Sequence, residues 1–172
     1  LRQPLEGGTV TVSRSAHSVT FPADCMLVAA MNPCPCGYAT DPRHTCVCSP
    51  LQIRRYRSRL SGPLLDRIDL HVNVPAVPYE DLQAGASPVT SARMRERVLA
   101  ARAVQRERYA ETPRCRTNAD LSGGLLETHC RLGTEERDFL REAVRRLALS
   151  ARAYTRILRI SRTIADLAGA ES

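Results

Sequence analysis

The sequence predicts a partial α/β layer followed by an all-helical unit. Three observations carry that reading. The N-terminal part alternates apolar and polar residues or runs apolar for strand length. This β character stops beyond about Pro88, and the remainder places apolar residues at helical spacing. The change falls in a Pro- and Gly-containing stretch, which divides the chain into an α/β region, 1–77, and a helical region, 78–172.

Taken in order, Val10 and Val12 alternate with polar neighbours, as do Val19 and Phe21, and Ser15-Ala16-His17-Ser18 between them predicts a hairpin. The continuous apolar run Met26–Met31 predicts a strand covered on both faces, stopping at Asn32-Pro33. Ser49 as N-cap with Pro50 at the first helical position opens a short basic helix through about Leu60, broken by Gly62-Pro63. Strict alternation over Ile68–Val74 predicts a half-buried strand, ended by Pro75 and Pro78; the composition from there to Ser87, with Pro88 following, is hinge-like.

In the second region, residues 90–110 read as a helix with Met94, Val98 and Ala101 at helical spacing. Thr134 caps a helix carrying Phe139, Leu140, Ala143, Val144 and Leu147 on one side. Ser150 opens a last helix whose apolar face runs Tyr154, Ile157, Leu158, Ser161, Ile164, Ala165 and Ala168.

Of the 172 residues, 43% are hydrophobic and 25% charged, the balance of a soluble globular protein. The longest apolar run, Cys25–Met31, is too short to cross a bilayer and no secretory segment opens the chain, so the expectation is a cytoplasmic protein with no membrane partner. All 25 basic residues are arginine. Without lysine, the chain alone cannot supply a Walker A phosphate clamp or a Schiff base. That absence, and a first residue, Leu1, that is not methionine, suggest a fragment of something longer. The net charge of +7 favours a polyanionic partner. Arg54, Arg55, Arg57 and Arg59 surround Tyr56 with no acid between, and six arginines stand against two glutamates between Ser91 and Ala110; either stretch reads as a nucleic-acid contact or as a charged outer face.

Four of the seven cysteines fall in fifteen residues, as two C-x-C pairs, Cys34/Cys36 and Cys46/Cys48, nine residues apart. In a reducing compartment such crowding reads as a closed tetrahedral zinc site, structural because four protein ligands leave no position for water. Pro35 and Gly37 suit the turn that brings the first pair together, and His44 is a possible substitute ligand. Cys25, Cys115 and Cys130, being isolated, read as small apolar core residues.

At Met31-Asn32-Pro33-Cys34-Pro35-Cys36-Gly37, again over Leu60–Val72, and in the last helix from Ser150 through Leu167, the sequence closely resembles the magnesium-chelatase-like AAA+ ATPases of the ComM/YifB family. The resemblance implies the C-terminal half of a P-loop ATPase core followed by a helical lid. It implies ATP with Mg2+ as cofactor of the intact protein and assembly into a hexameric ring. DNA is the implied partner, in branch migration during natural transformation. Asn32 then matches the sensor 1 position, Arg67 the arginine finger that reaches a neighbouring subunit's nucleotide, and Arg152 the sensor 2 contact of the lid. Each also has a plainer role: Asn32 in a turn, Arg67 in a surface ion pair between Asp66 and Asp69, and Arg152 on a solvated helix face with Arg156 and Arg159. Two other functions fit parts of the chain: a zinc-stabilised basic module that binds nucleic acid without catalysis, and a subunit like magnesium chelatase I.

Overall fold

A computed structural model of the protein describes residues 2–14, 17–83 and 89–170. The chain forms two compact units, Leu1–Ala84 and Gly85–Ser172. No helix among the described residues is long and apolar enough to cross a membrane.

The first unit opens with helix α1 (Arg2–Gly7), which the sequence pattern did not announce. Gly8, at φ +59°, turns the chain from α1 into the hairpin; its N–H donates to Pro4 O and its carbonyl accepts from Ala23 N at 2.7 Å. Strands β1 (Thr9–Arg14) and β2 (His17–Pro22) pair antiparallel as expected, with Val10 opposite Phe21 and Val12 opposite Val19. The other face carries hydroxyl pairs, Thr11 to Thr20 at 2.9 Å and Ser13 to Ser18 at 3.0 Å. His17 and Ser18, placed in the turn by the sequence reading, are paired residues of β2; Ser15 and Ala16 lie outside the described residues.

Helix α2 (Pro50–Arg57) begins where expected. Ser49 Oγ accepts from Gln52 N, and the Gln52 side chain accepts from Ser49 N at 2.7 Å, a reciprocal capping box with proline at the first turn. Gly62-Pro63 does more than break it, for the short helix α3 (Gly62–Leu65) starts there. Helix α4 (Tyr79–Gln83) occupies part of the stretch with hinge-like composition and clusters with the first unit; residues 84–88 of that stretch are outside the described residues.

The two other expected strands are not formed. Met26–Met31 and Ile68–Val74 lie outside regular structure, with Met26 89%, Val28 80%, Val72 80% and Val74 82% exposed. A strand exists only when neighbouring chain takes its N–H and C=O groups, and the sheet among the described residues contains β1 and β2 alone. The apolar pattern is present, but its pairing partners are not. Cys25 is likewise exposed and not a core residue.

The second unit is helical: α5 (Ser91–Arg108), a 3₁₀ turn (Asn118–Asp120), α6 (Gly123–His129), α7 (Thr134–Leu147) and α8 (Ala151–Ala168). The cap of α7 is Gly133, one residue before the expected Thr134, whereas Ser150 caps α8 by accepting from Ala153 N at 3.1 Å. The core gathers Tyr109, Cys115, Leu121, Leu126, Leu140 and Leu158, with Cys130 and Val144 packed against it, so Cys115 and Cys130 are the small apolar residues expected. Phe139 and Leu147 of α7, however, face outward. Helix α8 packs against α5, the 3₁₀ turn and α6.

Beside that apolar core lies a buried polar cluster that the sequence reading missed. Asp166, with its side chain fully buried, accepts a bidentate pair from Arg108, Nη1 to Oδ2 at 2.9 Å and Nη2 to Oδ1 at 2.6 Å. It also accepts from Arg162 Nη2 at 2.9 Å, Asn118 Nδ2 at 2.8 Å and Gln105 Nε2 at 3.1 Å. Asn118 Oδ1 in turn accepts from Tyr109 OH at 2.6 Å. Burial alone would raise the Asp166 carboxyl, but the donors from Arg108, Asn118, Arg162 and Gln105 outweigh it and hold the group well below the usual carboxylate range.

Candidate metal centre

The loop between Asn32 and Ser49 has little apolar material, yet it closes tightly around sulfur. Cys34, Pro35, Cys36 and Gly37 form a turn in which Gly37 N donates to Cys34 O at 3.1 Å, with proline second and glycine last. Gly37 sits at φ +88°, a conformation that side chains resist. The turn draws Cys34 Sγ and Cys36 Sγ to 3.3 Å, and Cys46 Sγ lies 3.7 Å from the first and 3.6 Å from the second. With Cys48, all four sulfurs fall within 4.8 Å of one another, the one group of this kind among the described residues.

These separations discriminate between chemistries. A disulfide needs sulfurs at about 2.05 Å, so the thiols are unbonded. Four thiolates at about 2.3 Å from a tetrahedral zinc ion stand about 3.8 Å apart, close to the observed spacing. Two adjacent C-x-C pairs therefore reach a shared centre despite the short spacing. Cys34 is fully buried and the other three are half-buried, as in a closed site.

The protonation behaviour agrees with a site built for a cation. A hydrogen bond from the Tyr38 backbone, with help from Cys34, Val47 and Cys48, outweighs burial and lowers the Cys36 thiol to about 6. Cys48 is pushed up to about 12, first by burial and then by its thiol neighbours. One thiolate forms readily and a further one is opposed, an opposition that a divalent cation at the centre removes. His44 is not part of the cluster. Its Nδ1 lies 2.8 Å from Asp41 Oδ2 and its ring rests on Tyr38 at 4.8 Å, bracing the loop from outside. Asp41 also accepts from Arg43 N at 2.9 Å, which with His44 keeps its carboxyl below the ordinary value.

The other expected site residues lie apart from this centre in role. Asn32 is exposed, two residues before Cys34, at the end of the unpaired apolar run. Arg67 follows α3 and is folded inward: its side chain is 12% exposed, Nη2 pairs with Glu6 Oε1 at 2.8 Å, Nη1 donates to Pro63 O, and Nε is buried without a partner. The ion pair expected with Asp66 or Asp69 is thus made with Glu6 of α1 instead. Arg152 lies exposed in the first turn of α8, in the second unit. Arg159, assigned to the same solvated face, instead donates from Nε to Leu121 O at 2.8 Å and holds α8 against the loop before α6.

Two sequence families match the chain side by side: magnesium chelatase, subunit ChlI, over residues 1–82, and magnesium chelatase, subunit ChlI C-terminal, over 88–172. The chain belongs to the magnesium-chelatase-like family. Within that family it is similar to the competence protein ComM of Haemophilus influenzae, at 48% identity over 98% of this chain. It is also similar to the uncharacterized protein YifB of Escherichia coli, at 39% over 97% of this chain, and to the uncharacterized protein Rv2897c of Mycobacterium tuberculosis, at 41% over 100% of this chain. The chain spans about a third of the length of these curated relatives, 32% of the Haemophilus protein and 33% of the mycobacterial one.

Proposed function

We propose that the chain is the C-terminal portion of a ring-forming, ATP-hydrolysing AAA+ machine acting on DNA, its first unit completing a P-loop core and its second serving as the lid. The observation that carries this reading is the adjacent match of two magnesium-chelatase segments, together with 48% identity to a competence protein. With no lysine here, a phosphate-gripping lysine must come from sequence outside these 172 residues, and this chain alone turns over nothing. The partner is DNA handled during uptake, and the assembly a hexamer.

Bound ATP with Mg2+ supplies the transferable phosphoryl group. Asn32, exposed at the end of the unpaired apolar run, offers an amide that donates and accepts at once and so orients an attacking water. Arg67 brings a planar, permanently charged fork matched to charge spread over phosphoryl oxygens. To act across a subunit boundary it must exchange Glu6 for phosphate, and its unpartnered Nε leaves a donor for that exchange. Arg152, on the first turn of α8, would read the nucleotide from the lid.

Cys34, Cys36, Cys46 and Cys48 would hold a structural zinc ion, which would fix the loop after Asn32; four protein ligands would leave it no catalytic role. In the full-length protein, Arg67→Ala should abolish ATP hydrolysis while nucleotide binding persists. Wild-type turnover in that variant would refute the finger role.

A further inference from the structure

We infer that the outward face of α2 and the turn that follows it form a nucleic-acid contact surface, in which Arg54, Arg55 and Arg59 meet the phosphodiester backbone and the thiolate centre holds the helix in place. The inference rests on the metal reading and on the nucleic-acid partner proposed above, and it assigns that partner to particular residues.

The helix wheel separates two sides. Ile53, Tyr56 and Leu60 are half-buried and turn inward. At 100° per residue, Arg54 and Arg55 lie on the opposite arc, and the turn that follows the helix carries Ser58 and Arg59; all four are exposed. Arg54 and Arg55 stand in the last turn of α2 and Arg59 just after it, so the three charges fall within six consecutive residues.

These charges are unspent. Among the described residues none of the three is paired with a carboxylate, and no acid occurs between Pro50 and Leu60. The contrast with α7 is direct: there Arg141 pairs with Asp138 at 2.8 Å, and Arg145 and Arg146 both reach Glu142. An exposed, self-neutralised helix behaves as α7 does. On α5, Arg93 and Arg97 share one side but Arg95 points to the other, with Glu96 between them.

The surface is also anchored. The capping box at Ser49 follows Cys48 directly, and Arg57 Nε donates to Pro33 O at 3.2 Å, so α2 is tied to both ends of the cysteine loop. Fixing the helix by a metal-closed loop lowers the ordering cost of presenting the arginines together. Loss of the metal would release that constraint.

The test uses the purified 172-residue chain, zinc-loaded, with fluorescence anisotropy of a labelled single strand of about 20 nucleotides and its duplex at about 50–200 mM salt. R54Q/R55Q/R59Q should weaken binding at least tenfold and reduce the slope of log K against log salt by about 2–3, while R54K/R55K/R59K keeps most of both. R93Q/R95Q/R97Q, which removes the same charge, should stay within about threefold of wild type. Stripping zinc should weaken wild-type binding as strongly as the glutamine triple. The assignment is overturned if the wild type does not bind, if both glutamine triples lose affinity equally, or if polyglutamate displaces the chain as well as oligonucleotide does, which would mark an acidic protein as partner. Zinc content measured on every sample separates the two readings. A chain without zinc sinks the metal claim, yet the comparison of the triples still decides the surface; bound zinc whose removal leaves binding unchanged overturns the anchoring.

Discussion

Removing the Asp166 carboxylate would take from Arg108 and Arg162 the buried acceptor that both share. Breaking such a group from one side costs about 3–5 kcal/mol, so Asp166→Ala should shift urea unfolding of the helical unit by that order. Asn118→Ala, which strips a donor to Asp166 and an acceptor from Tyr109 OH, should cost about 1–3 kcal/mol in the same measurement. The pH dependence has a definite sign. The folded carboxyl lies below its ordinary 3.8, so the unfolded chain binds more protons in acid. The stabilisation is complete above about pH 3.8 and lost as pH falls toward the folded value; unfolding midpoints compared at pH 5 and pH 3 should fall, and Asp166→Asn should flatten that part of the fall. The four cysteines make the residue-scale case for the metal. Cys46→Ser should cut zinc retained after dialysis against a chelator from near one equivalent to a small fraction, read by metal analysis. That centre was legible in the sequence because its ligands lie close together in it and spacing is the signal. Asp166 was not, since its partner Arg108 stands 58 residues away and an arginine-rich helix reads as solvated.

At the scale of elements, what could be read in advance had a local cause. Helix α2 starts where Ser49 and Pro50 say it must, and α8 where Ser150 does, because caps satisfy orphan N–H groups within a few residues. Ser150→Ala should therefore destabilise the helical unit by about 1 kcal/mol in thermal or urea unfolding. Helix α7 ends on Ala148 at φ +47°, a left-handed position that costs a side chain about 1–2 kcal/mol. Ala148→Gly should recover about 1 kcal/mol, and a fall in stability would contradict this view of the cap. Strands obey a different logic. Leu70, Val72 and Val74 alternate as a strand should, but alternation selects a face and does not provide the neighbour that completes the ladder.

For the whole molecule, the unpaired apolar segments of the first unit and the buried polar cluster of the second describe two halves with different needs. The helical unit encloses its own core around Leu121, Leu126 and Leu158. The first unit leaves Met26, Val28, Val72 and Val74 in water while the hairpin and the four-cysteine loop close on themselves, a distribution consistent with a core completed by further sequence. The proposed machine places its active sites between subunits, so its function should be divisible. Full-length Asn32→Ala lacks the water-orienting amide but keeps the finger, and Arg67→Ala lacks the finger but keeps the amide. Mixed in equal amounts, two variants that are each inactive should regain ATP turnover approaching about a quarter of wild type, the share of random interfaces that pair an intact Asn32 with an intact Arg67. Turnover that stays at the level of the separate variants would contradict an arginine acting across the subunit boundary.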